Sequence, residues 1–406
     1  MRFLYMTLAL CMLAQASSAQ VIATPDTTAP AAPAPGLSAT VGSKPKKSML
    51  APSDKPSFIP VPIAFYQQET GFAAGAAILP VWRFGTDTTV RKSNARLIAW
   101  YSQEKQSTIQ LTHTIFTPGE NYFFTGELSR YDQKLLYYGI GNSNSSDNES
   151  NLAYTLIIFD QKALKRVAPN LFAGVRYRFT NTTDIEPDGN AENGAANYFP
   201  RDPRITPRQQ QDTRISGVGP AVLFDGRDNV LATYRGSFVD AHVLFNGDGI
   251  GSDYKFTRYQ VDARHFRPLF GSNNTILALN YLGSFHSGTV PFRELGGLGA
   301  NLGGALYNNA GLMRGLYETR FRDRQMMTFQ AELRQKLFWR IDGAVFAGAG
   351  QVGYSMSDYA FDQTRYAGGA GLRFRFNRRD RLNIRLDYAG GTDTPPSIYF
   401  AVGEAF

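Results

Sequence analysis

Apolar and polar residues alternate in short stretches along the chain from Phe58 to Phe406. In Leu382–Tyr388 the even-numbered residues are apolar and the odd-numbered residues are polar, and parts of Met327–Leu337 and Gly368–Phe376 alternate similarly. A β-strand points successive side chains to opposite faces, so this period of two predicts strands with one apolar and one polar face. We count about sixteen such segments, most of them about ten residues long, the length that a tilted strand needs to cross a bilayer.

The connections between these segments alternate in length. Connections that follow even-numbered segments are short, and the long ones all follow odd-numbered segments: Tyr131–Ser150, Asn181–Ile215, His286–Gln325 and Gly353–Ala367. Alternation alone also fits a secreted soluble β-protein, but such a protein has no reason to sort its loops in this way. Outer-membrane barrels have short periplasmic turns and longer outer loops. The sequence therefore predicts an all-β fold, a transmembrane antiparallel β-barrel of about 16 strands.

The first part of the chain has a different composition. Residues 1–19 resemble a secretory signal peptide, with Arg2 before an apolar core and small residues up to Ala19. Residues 20–56 are rich in Pro, Ala, Thr and Ser, a composition that favours a flexible or extended periplasmic tether. The barrel is predicted to span residues 57–406. Cys11 is the only cysteine, so no disulfide is expected after signal cleavage.

The formal net charge of +8 indicates acidic partners, either the head groups of outer-membrane lipid or an anionic solute. No clustered Lys/Arg run and no binding motif points to nucleic acid, so we expect no nucleic-acid partner. The four histidines are scattered along the chain, and Ser284 and Ser287 beside His286 are the only local pairing of a nucleophile with a base. We therefore predict that the protein is not an enzyme and has neither a metal nor a cofactor.

Four stretches resemble the bacterial surface antigen superfamily of barrels, which contains the BamA and TamA assembly factors and the two-partner secretion transporters. The first strand pair, Phe58–Gly75, resembles the family's opening hairpin, and Tyr138–Asn142 its third outer loop. A third stretch resembles a periplasmic turn motif and comprises Asp225, Arg227, Asp228 and Gly236. The most specific stretch is Arg314–Leu316 in the sixth outer loop. The resemblance covers the whole predicted barrel.

In that family the sixth outer loop folds back into the lumen, and its Arg-Gly-aromatic tip is held against the inner wall. The resemblance implies that Arg314 is the anchor and Gly315 the sharp turn. An arginine of this kind needs a carboxylate of matching fork geometry, and Glu332 is the expected partner on the following strand. We call these residues the loop–lumen lock: Arg314, Gly315, Leu316, Tyr317 and Glu332.

Two residues of the chain depart from the family pattern. Leu316 stands where the family has an aromatic residue, although Tyr317 is adjacent. Gly348 stands where the family has an aspartate on the next strand, so one carboxylate of the lock is missing. Asp387 and Asp342 are the two candidates for replacing it.

The resemblance implies a barrel that assists insertion or translocation of proteins, with lipid as a second cargo, at the bacterial outer membrane. Its partners would be an unfolded or secreted client protein and outer-membrane lipid. The family's periplasmic POTRA domains do not precede the barrel in this sequence, so a separate periplasmic partner would have to replace them. The C-terminal strand, predicted as Ser397–Phe406, carries Phe400, Gly403 and Phe406, which resemble the signal read by assembly machinery; Gly403 is expected to loosen the seam between first and last strands.

The alternative function is a passive, anion-leaning channel or a structural outer-membrane protein. It rests on the excess of arginines among the predicted lumen-facing residues: Arg176, Arg178, Arg258, Arg264, Arg334, Arg373, Arg375 and Arg385 against Asp262, Glu332 and Asp387. Such an excess fits selectivity for anions. It also fits a set of arginines that tie the walls to each other and to the inserted loop, and because the resemblance implies a loop that plugs the lumen, we favour this structural interpretation.

Overall fold

The computed structural model describes residues 56–67, 70–85, 87, 90–187, 197–299, 313–378 and 381–406. The predicted signal peptide, 1–19, and the tether, 20–56, apart from Pro56, lie outside these residues. No helix in the described part of the chain is long and apolar enough to span a membrane.

The described residues form eighteen strands: β1 Ser57–Gln67, β2 Gly71–Trp82, β3 Ser93–Ser102, β4 Ser107–Phe116, β5 Tyr122–Tyr137, β6 Ser150–Ala168, β7 Leu171–Pro187, β8 Thr213–Asp225, β9 Gly236–Asn246, β10 Phe256–Pro268, β11 Thr275–Gly288, β12 Gly296–Leu298, β13 Phe321–Asp323, β14 Gln325–Phe338, β15 Ile341–Gly353, β16 Arg365–Asn377, β17 Leu382–Gly391 and β18 Thr394–Val402. Sixteen of them follow one another in a single sheet in chain order, and β12 and β13 form a separate pair. Each described neighbouring pair is antiparallel. This is the predicted sixteen-stranded barrel sheet.

The faces of the strands show why the sheet is a membrane barrel. In β17, Arg385 and Asp387 are each 1% exposed, whereas Leu386 is 50% and Tyr388 60% exposed. The same inversion occurs in β14, where Glu332 is buried and Leu333 is exposed. A soluble sandwich would bury the apolar face. A polar interior with an apolar outer band is the arrangement of a transmembrane barrel, so the soluble alternative is wrong.

The sheet is not closed by hydrogen bonds. β1 and β18 lie side by side, but the described strand pairs include no ladder between them, which leaves a seam. Side-chain packing crosses this seam, because Ile63 of β1 and Phe400 of β18 belong to one apolar cluster. The two strands are therefore held together mainly by side chains.

Prolines explain the missing ladder. Pro60 and Pro62 of β1 lie within an unbroken ladder to β2, so their nitrogens, which lack a hydrogen, point away from β2 and toward the seam. Pro80 and Pro220 show the same rule inside the sheet, since each coincides with a break in one of its two ladders. On the other side of the seam, β18 carries Pro395 and Pro396. Both edges thus lack part of their N–H donors.

Several strand limits differ from the predicted ones. β5 continues to Tyr137 although a loop was predicted from Tyr131, because its buried face continues past that residue. The predicted last strand, Ser397–Phe406, is wrong: β18 ends at Val402, and Gly403 has a φ of +92°. This left-handed conformation turns the following residues away from the sheet.

Candidate functional site: the loop–lumen lock

The sixth loop, residues 289–324, returns along the inner wall of the sheet. Its two described parts pair as β12 and β13, with Leu298 opposite Phe321. Both residues are fully buried in a cluster that includes Leu282 of β11 and Val352 of β15. The predicted irregular stretch, His286–Gln325, is thus partly regular, because it packs against the barrel wall; residues 300–312 lie outside the described part.

Arg314 of this loop is buried between two carboxylates on different strands. Its Nη2 donates to Glu332 Oε2 at 2.5 Å, and its Nη1 donates to Asp387 Oδ2 at 2.6 Å. The guanidinium carbon lies 3.5 Å from the ring centroid of Phe346. A planar guanidinium is suited to contact two carboxylates and an aromatic face at once. The anchor therefore joins β14, β15 and β17 through one side chain.

The contacts of Arg314 belong to a larger buried group of charges, which we call the lumen ion network: Arg314, Glu332, Arg334, Arg373, Arg385, Asp387 and Glu404. Glu332 also accepts from Arg334 Nε at 2.7 Å and Arg373 Nη2 at 3.3 Å. Asp387 pairs with Arg373 and Arg385. Burying charge is costly unless each group has partners. Here each carboxylate of the network faces at least two arginines.

Asp387 supplies the second carboxylate that the family pattern places at position 348. A Cβ at Gly348 would lie 2.8 Å from the sulfur of Met313, so the loop itself occupies the space that an aspartate side chain would need. Asp342, the other candidate, pairs instead with Arg375 at 2.6 Å. Gly348 therefore leaves room for Met313 of the loop beside β15.

Leu316 and Tyr317 divide the role that one aromatic residue has in the family pattern. Leu316 is fully buried in the same apolar cluster as Met313 and Phe321. The ring of Tyr317 lies nearly parallel to that of Tyr138 in the loop after β5, with centroids 6.4 Å apart. Leu316 packs against the barrel wall, and Tyr317 connects the sixth outer loop to the third outer loop.

Gly315 provides the sharp turn. Its φ is +109°, and an added Cβ would lie 2.5 Å from the carbonyl oxygen of Gly390 in β17. Its backbone N–H donates to the hydroxyl of Tyr399 in β18 at 3.0 Å. Only glycine allows this backbone conformation at such close approach to the wall.

We therefore expect Gly315→Ala to weaken docking of the loop tip by about 1–3 kcal/mol, the range for strained positive-φ positions. Gly249→Ala is the matched control, because nothing lies within 4 Å of a Cβ at that loop position. Limited trypsin digestion, followed by mass spectrometry of the sixth loop, measures the effect. Equal digestion of the two variants would contradict this account.

The predicted turn motif lies between β8 and β9. Arg227 forms a two-pronged pair with Asp225, and its guanidinium lies 4.4 Å from the ring of Phe238. Asp228 Oδ1 accepts from the backbone of the same turn, and its Oδ2 accepts from Arg381 Nη1 at 2.7 Å.

Gly236 completes this turn. It has a φ of +113°, and a Cβ there would lie 2.2 Å from the oxygen of Gly226. The motif therefore fixes a tight turn and ties it to the β16–β17 turn through Arg381.

The predicted C-terminal signal has a different geometry from the expected one. Beyond Gly403 the chain turns inward, so Phe406 is buried beside Phe266 and Ala278 instead of facing lipid. The carbonyl oxygen of Phe406 accepts from Arg334 Nη2 at 2.9 Å. Whether this segment acts as an assembly signal stays a prediction. Phe400 remains in β18 and packs with the seam cluster.

Glu404 is a site residue that sequence reasoning missed. It lies 3.6 Å from Arg334 and 3.5 Å from Arg373, and it accepts from the side chain of Asn383. A charge on the expected apolar face of the last strand was the available signal. The last described residues thus connect β18 to the lumen ion network.

The outer loops also close over the sixth loop. Arg204, from the loop after β7, forms a two-pronged pair with Asp323 at 2.7 and 2.8 Å. Although burial opposes it, this pairing raises the pKa of Arg204. The backbone N–H of Gly141 donates to the carbonyl of Arg322 at 2.8 Å. Burial lowers the pKa of Arg322 to about 10. Three outer loops are thereby joined at one place.

Most of the remaining lumen arginines have carboxylate partners. Arg176 pairs with Asp160, Arg258 with Glu294, Arg264 with Asp262 and Arg375 with Asp342. Two of these pairs, Arg176 with Asp160 and Arg264 with Asp262, help to line a polar cavity of about 340 Å³, which basic and acidic side chains line together. This pairing favours arginines that tie the walls together.

An apolar outer band, a polar interior and a loop anchored inside define an outer-membrane type β-barrel with an inserted sixth loop. The Omp85 superfamily domain matches residues 93–406, and the chain belongs to this superfamily. No curated protein sequence matches the chain.

Many solved structures share the fold, among them a BamA and a CdiB. BamA from Haemophilus ducreyi lacking POTRA domains 1–3 is 14% identical, with a TM-score of 0.50; the match covers 86% of this chain and 69% of that one. CdiB from Acinetobacter baumannii is 10% identical, with a TM-score of 0.53, and the match covers 86% and 59%. At these identities the likeness concerns the fold alone.

Proposed function

We propose that the protein resides in the bacterial outer membrane and assists the insertion or translocation of other proteins there. The observation that carries the proposal is the seam between β1 and β18, which lacks a described hydrogen-bonded ladder. Superfamily membership supports it, since Omp85 proteins mediate protein insertion or secretion at the outer membrane. The proposal assigns no catalytic step and no cofactor.

An unpaired edge strand is a template for a further strand. In the hydrocarbon region an unsatisfied backbone group costs several kcal/mol, so both seam edges gain from pairing with an incoming strand. Pro60 and Pro62 lower the cost of parting the seam, because the bonds that would have to break are absent from the start. A client strand with free backbone groups is the partner that this edge fits.

The loop–lumen lock keeps the rest of the barrel in shape while the seam parts. Arg314 joins β14 and β17, and Gly315 reaches β18 through Tyr399. These contacts lie on the side of the barrel that ends at the seam. We infer that they limit the opening to one edge. Outer-membrane lipid is the second partner.

The alternative, a passive anion-leaning channel, needs arginines that are free to attract anions. Pairing such as that of Arg264 with Asp262 argues against it. A purified protein that conducts anions in planar bilayers, and conducts more after Arg314→Ala, would favour the channel.

A quantitative outer-membrane proteome of a strain lacking this protein tests the proposal. We expect a defined set of other barrels or surface proteins to fall at least severalfold and to recover when the wild-type chain is restored. Complementation with Arg130→Ala is the control and should restore the same proteins, because Arg130 is exposed and its pair with Asp132 lies at the surface. An unchanged proteome would overturn the proposed function.

A further inference from the structure

Three short turns meet at the rim of the barrel opposite the long loops: those between β10 and β11, β14 and β15, and β16 and β17. The first two are adjacent, since the N–H of Lys336 donates to the carbonyl of Asn274. The last two are adjacent, since the N–H of Arg375 donates to the carbonyl of Arg340. Their tips expose three large aromatic residues: Phe270 at 89%, Phe338 at 67% and Trp339 at 66%.

The same turns are basic. The guanidinium of Arg340 lies 5.5 Å from the ring centroid of Trp339, and Arg378 Nη2 donates to the Trp339 carbonyl at 3.3 Å. Lys336 is exposed beside them. No described carboxylate is within ion-pair distance of these three cations. The stretch 378–381 reads Arg-Arg-Asp-Arg, and Arg381 is paired with Asp228, so two positive charges against one negative leave the turn with an excess of positive charge.

These unpaired cations contrast with the paired arginines of the lumen. Inside the barrel the charges satisfy each other, whereas at this rim positive charge remains available for a partner. Trp339 packs against Phe374 of β16, with ring centroids 6.0 Å apart. Leu372 and Phe376, on the same face of β16, are exposed on the outer surface. The rim therefore lies where the lipid-facing apolar band ends.

We propose that this rim is a binding site for anionic glycerophospholipid. Tryptophan favours the boundary between hydrocarbon and head group, and arginine offers several donors to a phosphate. Trp339 would lie against the glycerol and upper acyl chain, with Arg340 and Arg378 beside the phosphate. A zwitterionic lipid brings its own ammonium group to that phosphate. An anionic one does not, so each cation favours the anionic lipid by about fivefold.

The test measures the fluorescence of Trp339, which reports contact between the rim and lipid. The full chain with Trp82→Phe and Trp100→Phe keeps Trp339 as its single tryptophan. It is reconstituted in bilayers that contain lipids with brominated acyl chains, which quench tryptophan at close contact. We expect brominated phosphatidylglycerol to reach half-maximal quenching at a mole fraction at least fivefold lower than brominated phosphatidylcholine does.

Arg340→Gln with Arg378→Gln should weaken this preference at least fivefold, because only Lys336 of the three cations remains, and should leave quenching by phosphatidylcholine unchanged. Lys105→Gln with Arg130→Gln removes the same charge from exposed residues outside the rim and should retain the preference. If Trp100→Phe impairs folding, the difference between wild type and Trp339→Phe gives the same measurement. Equal quenching by the two lipids, or no quenching by either, overturns the proposal.

Discussion

Replacing Arg314 with alanine is expected to release the tip of the sixth loop while the barrel remains folded. The lumen ion network holds four arginines and three carboxylates, so without Arg314 three arginines still face three carboxylates. The wall therefore keeps balanced charges, and only the loop loses its anchor. Each of the two hydrogen bonds from Arg314 to a carboxylate contributes about 1.5–3 kcal/mol, so losing both corresponds to an increase of about a hundredfold or more in the open population of the loop.

Trypsin measures that population, because it cleaves after arginine and Arg320 and Arg322 are buried when the loop is docked. The rate of cleavage after these two residues should rise about a hundredfold in Arg314→Ala, with the unfolding temperature of the barrel little changed. Arg130→Ala should behave as wild type. Glu332→Gln should instead lower the unfolding temperature, because it leaves Arg314, Arg334 and Arg373 without a shared carboxylate. An Arg314→Ala loop as resistant as wild type would contradict its role as anchor.

Replacing Pro60 and Pro62 with valine is expected to close the seam. Each substitution restores a backbone N–H on the free edge of β1, and a net hydrogen bond contributes about 0.5–1.5 kcal/mol. Two new bonds would stabilise the seam by about 1–3 kcal/mol, the amount that an incoming strand must then overcome. The unfolding temperature should rise, and the set of proteins that depends on this barrel should fall.

Pro220→Val is the matched control for this change. It also restores an N–H in the sheet, but at the break between β8 and β9, away from the seam. It should raise stability without lowering the dependent proteins. A Pro60→Val, Pro62→Val double variant that supports those proteins as well as Pro220→Val does would contradict the role assigned to the seam prolines.

The strands and their faces were accessible from the sequence because both rest on local periodicity. The alternation in Leu382–Tyr388 places Arg385 and Asp387 on one face in β17, as observed. The soluble alternative could be excluded only from the burial of the polar face and the exposure of the apolar face, since periodicity does not say which face is inside. Glu332 as the partner of Arg314 followed from a resemblance and from its place on the polar face of the next strand.

Other features depend on contacts that no local pattern encodes. Asp387 lies 73 residues beyond Arg314 in sequence and meets it only because the loop crosses the lumen. The left-handed conformation of Gly403 depends on the side chains that contact Glu404 and Phe406 inside the barrel. The link from Gly141 to Arg322 joins two loops whose positions follow from the order of the strands in the sheet. Pro60 and Pro62 are evident in the sequence, but the register with β2 is needed to show that their nitrogens point toward the seam.

A reversible disulfide across the seam tests the central claim most directly. The predicted mature chain contains no cysteine, so one cysteine in β1, scanned over Ile63 and Ala64, is paired with one in β18, scanned from Ile398 to Phe400. Single-cysteine variants are the controls. If the protein acts by opening the seam, the levels of the outer-membrane proteins that depend on it should fall when the cross-link is oxidised. They should recover after the cross-link is reduced. If a fully cross-linked barrel supports those proteins as well as its reduced form does, the seam is not the route and the proposed mechanism is wrong.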